Sequence, residues 1–526
     1  MKRRTHTKGR LYVRKGILLP VAAVIAMLWT LATYQFSEQL LCHLSLAFRT
    51  RNEIVARTCL TSVSTWLAAF SESPAWATSN TQNNLTLFSN ISEGTKQSPI
   101  LYCIVSPAHK TAAGTDRSFR FGLEDESSKL DINWLAREAK DGRARLMHLP
   151  GMTVSQADSL LDWIDADDIP REFGAERNYY FSNGSAIQPP NAEIQDLSEL
   201  INVRDISREL IFGAVFSVPE DGLQQGWKSE PIPSNGAHGW ARFLTTYAGE
   251  VAAVDSDKIA VNSDDLPKLY EELKEQLGED GARFILAVRL AGILERPAGV
   301  QRKQAEKSVQ SRIEEQLRGK AVQPDASVTA SVVAGLNLSR APEFEIQSLF
   351  DLIGTNVRIV IAGNDEVLAS PWAGTRSGVE KAFALLDKTL DPRPTTVLRG
   401  RLNLNTAPRE LLRGLAELPP SKLNKLLETR DREFRKQRTN EASGLWLITQ
   451  DVLSIQEMRR LAPFLTDRGN VFTGTICAFL PGQGAVYRRK VTIDATVSPP
   501  TVSKRLNLPP GDASLRKALQ NSDAER

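Results

Sequence analysis

The sequence predicts an α+β protein: a long N-terminal transmembrane helix, an α/β domain built from both chain ends, and a large inserted α-helical region. Three observations carry this. An uncharged apolar stretch opens the chain after a basic leader. Strand-like segments lie towards both ends, at Ile100–Ser106 and Arg117–Leu123 and again at Val471–Leu480 and Ala485–Val497. Between them a short pattern (basic, aliphatic, any residue, aliphatic, Asn) recurs three times. At 526 residues the chain is long enough for several cores.

The net charge of +3 belongs to the first residues. Lys2, Arg3, Arg4, Lys8, Arg10, Arg14 and Lys15 precede Ile17 without an acid among them; removing these seven from 65 bases leaves 58 against 62 acids. A mildly acidic body argues against general affinity for nucleic acid. Residues 17–36, ILLPVAAVIAMLWTLATYQF, carry no charge and are long enough to cross a bilayer as a helix. The basic flank places residues 1–16 in the cytoplasm and the body outside it. A cleaved secretory signal fits poorly, because the apolar run is long and lacks a small-x-small exit. A plain signal anchor and a processed leader both remain open. Lys15-Gly16-Ile17, a basic segment ending in Gly directly before the helix, resembles the prepilin-type leader of type IV pilins and type II secretion pseudopilins. That resemblance implies cleavage by prepilin peptidase between Gly16 and Ile17. Sixteen residues is longer than is usual there. Pro20 would fall in the first turn of the mature helix, where proline is tolerated.

Leu40, Leu41, Leu44 and Phe48 extend the helical spacing beyond the membrane, and the pattern continues through Arg57–Phe70. Ser71–Gln97 reads as a loop, so residues 37–123 comprise the rest of the helix and the first strands. At the far end Pro481-Gly482-Gln483-Gly484 joins two strands in a hairpin over 467–497. Residues 498–526 read as a mobile tail.

The recurring pattern is KLDIN at Lys129–Asn133, KIAVN at Lys258–Asn262 and RLNLN at Arg401–Asn405. Each reads as a short extended segment whose Asn bonds the free N–H groups opening the next helix. Pro408 suits a first helical turn. Ile194–Ile201 (IQDLSELI) and Ile346–Ile353 (IQSLFDLI) each follow such a segment and strengthen an internal duplication. The region divides into helical units at 124–218, 255–355 (with a charged insertion at 297–330) and 400–466. A linker at 219–254 and a connecting segment at 356–399 separate them. Leu149–Pro170, with Gly151 in a turn and Thr153 or Ser155 as a cap, has the outline of a helix-hairpin-helix, as does Leu415–Arg430. Such hairpins bind DNA through backbone N–H groups facing a phosphate. Here Pro419 and Pro420 occupy one turn and have no N–H to give. The other turn leads into Ala157–Glu176, where seven acids face Arg171 alone. Nucleic acid is therefore an unfavoured partner, and a membrane-anchored DNA-binding protein of DNA uptake is the alternative function.

Five scattered histidines, with no P-loop and no nucleophile elbow, give no sign of an enzyme. Cys103 and Cys477, on strands from opposite ends, are buried thiols or a bridge; Cys42 and Cys59 share one helix and cannot meet. Asp165, Asp167, Asp168 and Glu176 form the candidate metal set, and calcium is the ion such oxygens suit. The competing reading is an ordinary solvated helix end. Trp163 and Ile164 read as core.

LLDWIDADD, followed by Gly174-Ala175-Glu176, Tyr179-Tyr180 and Leu197–Leu200, is similar to the minor pseudopilin K family of type II secretion. So are EDESSKLDIN at Glu124–Asn133 and LNLNTAP at Leu402–Pro408. The resemblance covers both ends and the middle; the unit at Lys258–Ile353 departs from it as an extra copy. It implies a pilin-like α/β domain and a non-enzymatic inner-membrane protein that joins the pseudopilus tip. It further implies minor pseudopilins I and J as partners, calcium as a bound ion, and contact with secreted substrates and the outer-membrane channel. After cleavage Val21 would be the fifth residue, where most pilin-like subunits have Glu and component K does not.

Overall fold

The structure is a computed structural model. It describes residues 18–73, 76, 85–88, 91–95, 98–107, 119–138, 141–213, 239–251, 258–294, 332–333, 335–361, 364–392, 397–414, 418–435, 444–480 and 486–511. Gly16, Ile17, the insertion 297–330 and the turn at 481–484 lie outside those residues.

Helix α1 runs unbroken from Leu18 to Ser71, 54 residues. At about 1.5 Å per residue it is roughly 80 Å long, well beyond the ~30 Å of a hydrocarbon core. Leu19–Arg51 is exposed all round, and among the described residues this helix alone is long and apolar enough to cross a membrane. Its hydroxyls in the apolar stretch are satisfied within the helix: Thr30 Oγ1 donates to Ala26 O at 2.9 Å and Thr33 Oγ1 to Trp29 O at 2.7 Å. Further along, Ala56, Leu60, Val63 and Leu67 turn inward at three- and four-residue spacing and form a buried stripe.

That stripe packs on a seven-stranded sheet. Its strands are β1 (Ile91–Thr95), β2 (Ser98–Pro107), β3 (Phe119–Phe121), β4 (Glu124–Asp125), β5 (Val471–Phe479), β6 (Val486–Asp494) and β7 (Thr501–Gly511). The order β1-β2-β5-β6-β7, with β3 added to β2 and β4 to β5, joins the two chain ends through antiparallel β2 and β5. Cys477 lies opposite Cys103 in that register, and the two are buried without a disulfide between them.

Two expectations are corrected here, for the tail and for the loop at 71–97. The tail is ordered as far as Gly511, because β7 pairs with β6 along its length, from Thr501 opposite Asp494 to Gly511 opposite Val486. Its exposed edge position removed the apolar alternation that marks a covered strand. The loop at 71–97 contributes β1, whose ISEGT has little strand character of its own and is held by pairing to β2. The connecting segment 356–399 holds a hairpin, Asn356–Ile361 with Asn364–Ala369, and a 14-residue helix, Arg376–Thr389.

The inserted region between β4 and β5 has its own apolar core, separate from the one between α1 and the sheet. Each KxxxN segment forms a two-residue strand that pairs in parallel with a later partner. Leu130–Asp131 joins Leu244–Thr245, Ile259–Ala260 joins Leu390–Asp391, and Leu402–Asn403 joins Leu465–Thr466. The Asn then fastens the pair. Asn133 Nδ2 donates to Thr246 O at 2.7 Å, Asn262 Nδ2 to Pro392 O at 2.7 Å and Asn405 Nδ2 to Asp467 O at 2.9 Å. The first two also exchange bonds with the main chain of Ile194 and Ile346. This corrects the capping role expected of them. Asp131 caps the first helix by accepting from Trp134 N, and Asp265 caps the second by accepting from Lys268 N. Residues assigned to linkers thus supply the closing strands, Leu244–Thr245 and Leu390–Asp391.

Candidate metal centre

The acidic stretch occupies the end of one helix and the loop that follows it. Helices α2 (Ile132–Arg137) and α3 (Gly142–Leu146) lead to the turn at Pro150-Gly151, where φ of +70° requires glycine. Pro150 O accepts from Trp240 Nε1 at 2.9 Å, so this turn is engaged in packing. Helix α4 (Val154–Ile164) opens on a capping box in which Thr153 and Gln156 exchange bonds. Ala157, Leu160, Leu161 and Ile164 bury its apolar side. Asp158, Asp162 and Asp165 follow one another at four- and three-residue spacing on the side facing the loop, and all three are buried.

The loop returns over these acids and ends at Glu176, which precedes α5 (Arg177–Ser182). Asp158 has a complete partner: Arg143 Nε and Nη2 reach its two oxygens at 2.6 Å each. Phe173 N also donates to Asp158 Oδ2 at 3.2 Å and fastens the loop to α4. Asp162, Asp165 and Glu176 are different. One oxygen from each lies within 4.8 Å of the others. Arg171 Nη1 bridges two of them, at 2.6 Å from Asp162 Oδ1 and in contact with Asp165 Oδ2. Asp165 Oδ1 and both Glu176 oxygens are buried with no hydrogen-bond partner among the described residues.

The electrostatics follow from this geometry. Burial, then the neighbouring carboxylates of Asp162, Asp165 and Asp168, push Glu176 up to about 8. Burial also raises Asp162 and Asp165, in spite of Arg171. A glycine makes the enclosure possible, for a Cβ at Gly174 would stand 1.8 Å from Asp162 Oδ2. Three buried carboxylates, two of them with unpartnered oxygens, in a cradle of this size match the hard oxygen donors that calcium takes.

Of the four residues expected from sequence, Asp165 and Glu176 are brought together. Asp167 and Asp168 stay exposed outside the cluster: Asp167 Oδ1 accepts from Ile169 N at 2.9 Å and Asp168 Oδ1 from Asn191 Nδ2 at 2.9 Å. Asp162 was missed. Its three-residue spacing from Asp165 on a helix was the available signal, since such residues share a face. The reading of these acids as a solvated helix end fails for Asp158, Asp162, Asp165 and Glu176, which the returning loop covers. Trp163 is core as expected, edge-on to Tyr180 with centroids 5.2 Å apart.

Residues 128–212, which include this centre, match the family described as Type II secretion system (T2SS), protein K. A relative from Pseudomonas aeruginosa, Type II secretion system protein K, is 34% identical over 129 residues, 22% of this chain and 38% of the relative. The matched part therefore spans well under half of that relative's length. Among solved structures, the GspK-GspI-GspJ complex from the enterotoxigenic Escherichia coli type 2 secretion system is matched at 11% identity and a TM-score of 0.33. That match covers 86% of this chain and 99% of the other. At that score the superposition carries no structural argument. Residues 128–212, holding α4, its loop and the three carboxylates, are thus similar to protein K of the type II secretion system.

Proposed function

We propose that this chain is a minor pseudopilin of the type II secretion system, a non-enzymatic tip component of the pseudopilus used in protein export across the outer membrane. The observation that carries the reading is the protein K match over 128–212, in a chain whose N-terminal helix is apolar and exposed. Residues 17–36 anchor it in the inner membrane with the leader cytoplasmic and the body periplasmic, until prepilin peptidase cuts between Gly16 and Ile17. Minor pseudopilins I and J are its partners in the tip, and secreted substrates and the outer-membrane channel are further contacts. The alternative of DNA binding gains nothing from the family match.

Val21 supports the tip position. A buried N-terminal ammonium needs a counter-charge among apolar helices, and the Glu usual at the fifth mature position supplies one to the subunit assembled before it. A first subunit has no predecessor and needs no Glu. Within the body, the three parallel strand pairs, each fastened by an equivalent Asn, support a threefold internal repeat of one helical unit. Calcium is the ion proposed for Asp162, Asp165 and Glu176. When bound it neutralises three carboxylates and ties the end of α4 to the start of α5.

Both ends of the proposal are open to test. Mass spectrometry of the purified protein is expected to give Ile17 as the first residue. Immunogold on isolated fibres is expected to label one end only. Gold spaced along the shaft would overturn the tip assignment, and an intact residue 1 or 2 would leave a plain membrane anchor.

A further inference from the structure

The carboxylate cluster already contains a cation. Arg171 Nη1 lies between Asp162 and Asp165, within contact of both, while its backbone N is 3.2 Å from Asp162 Oδ2. The two arginines of this region differ in a telling way. Arg143 gives two nitrogens to the two oxygens of Asp158 and closes that pair, while its Nη1 lies 3.6 Å from Glu172 at the surface. Arg171 divides one nitrogen between two carboxylates and leaves Asp165 Oδ1 and both oxygens of Glu176 without a hydrogen bond among the described residues. A single positive charge thus sits among three acids, where a divalent ion would match them better. The side chain of Arg171 is 29% exposed, so it has a path to solvent. The loop would not be lost with it, because Phe173 N remains on Asp158.

We propose that Arg171 is a resident counter-cation that holds the cluster closed without metal and is expelled from it when a divalent ion binds. The inference rests on the calcium reading of Asp162, Asp165 and Glu176, and it makes the centre a two-state device. In one state the guanidinium bridges Asp162 and Asp165. In the other the ion takes those oxygens and adds Glu176, and Arg171 turns to water. Two cations that exclude each other from one site must weaken each other's binding reciprocally.

Two measurements on the full chain in detergent decide it. In calorimetric titration with calcium chloride, Arg171→Gln is expected to bind about tenfold more tightly than the wild type, the scale of an ordinary coupling between competing ligands. Unchanged or weaker binding would show Arg171 to be a fixed part of the site. The second measurement needs no variant. Phenylglyoxal modification, mapped by mass spectrometry, is expected to rise at Arg171 on adding calcium while Arg143 stays unchanged. Protection of Arg171 by calcium would overturn the exchange. If neither protein takes up calcium, the metal reading itself falls; if the wild type binds calcium and the variant binds no better, only the exchange falls.

Discussion

Glu176 has an aliphatic stem long enough to bring its carboxyl under the loop, where neither oxygen completes a hydrogen bond among the described residues and the nearby main-chain N–H of Arg177 only partly offsets burial. Its ordinary value is 4.5, and burial beside Asp162, Asp165 and Asp168 raises it to about 8 in the folded protein. Between those values the folded state holds a proton that the unfolded chain has released. Its contribution to stability is therefore complete below about pH 4.5 and is lost as pH rises through about 8. In the presence of a chelator the melting temperature should fall between about pH 5 and pH 8. Glu176→Gln should flatten that slope, and an equally steep slope in the variant would assign the effect to another group. Calcium should oppose the fall, since the ion favours the ionised form. At this scale the sequence was partly legible. Asp165 and Glu176 stand out as acids beside Gly174, but the period of α4 was needed to add Asp162. Asp167 and Asp168, nearest to Asp165 in sequence, point away because the chain has already left the helix at Asp165.

The elements with the clearest sequence signature are the three KxxxN strands, and their function was the part misread. An Asn next to a helix start looks like a cap. Asp131 and Asp265 hold that position, and the Asn side chains are left to join strands far apart in sequence. Only pairing across more than a hundred residues reveals this, and a single sequence contains no direct record of it. The strands that close the pairs, Leu244–Thr245 and Leu390–Asp391, are two residues long, too short for alternation to mark. The bonding differs among the three in a way that can be measured. Asn133 and Asn262 each donate to two carbonyls and accept one N–H, whereas Asn405 Nδ2 donates to Asp467 O alone. Asn133→Ala and Asn262→Ala should each destabilise by about 3 kcal/mol in chemical denaturation, because main-chain groups are left unpaired. Asn405→Ala should lose about 1 kcal/mol. Equal losses at all three would mean that the Ile194 and Ile346 bonds contribute little.

At the scale of the molecule, the chain ends build one core and the middle builds another. Alternating apolar residues near both termini made the shared sheet legible, whereas β7, an exposed edge strand rich in polar residues, was not. The two cores meet at a seam of buried charge. Lys129 Nζ is 2.7 Å from Glu124 and 3.1 Å from Glu126, and Asp125 accepts from Asn403 Nδ2 at 2.6 Å and from Gly469 N at 2.9 Å. Such a seam fixes geometry, but charged pairs taken from water add little net stability compared with apolar packing. The two cores should therefore respond unequally to calcium, whose proposed ligands all lie in the inserted region. The residues allow the cores to be followed separately. Trp163, Trp240, Trp372 and Trp446 are buried in the inserted core, while Cys59, Cys103 and Cys477 are buried between α1 and the sheet. On heating a variant in which Trp66 and Trp76, which lie by the sheet, are replaced by Phe, calcium should delay the change in tryptophan fluorescence by several degrees. It should delay the exposure of the three buried cysteines to a thiol reagent by much less; Cys42, exposed on α1, reacts from the start. Equal delays would show that the seam couples the cores into one cooperative unit, and that metal bound beside α4 stabilises the sheet as well.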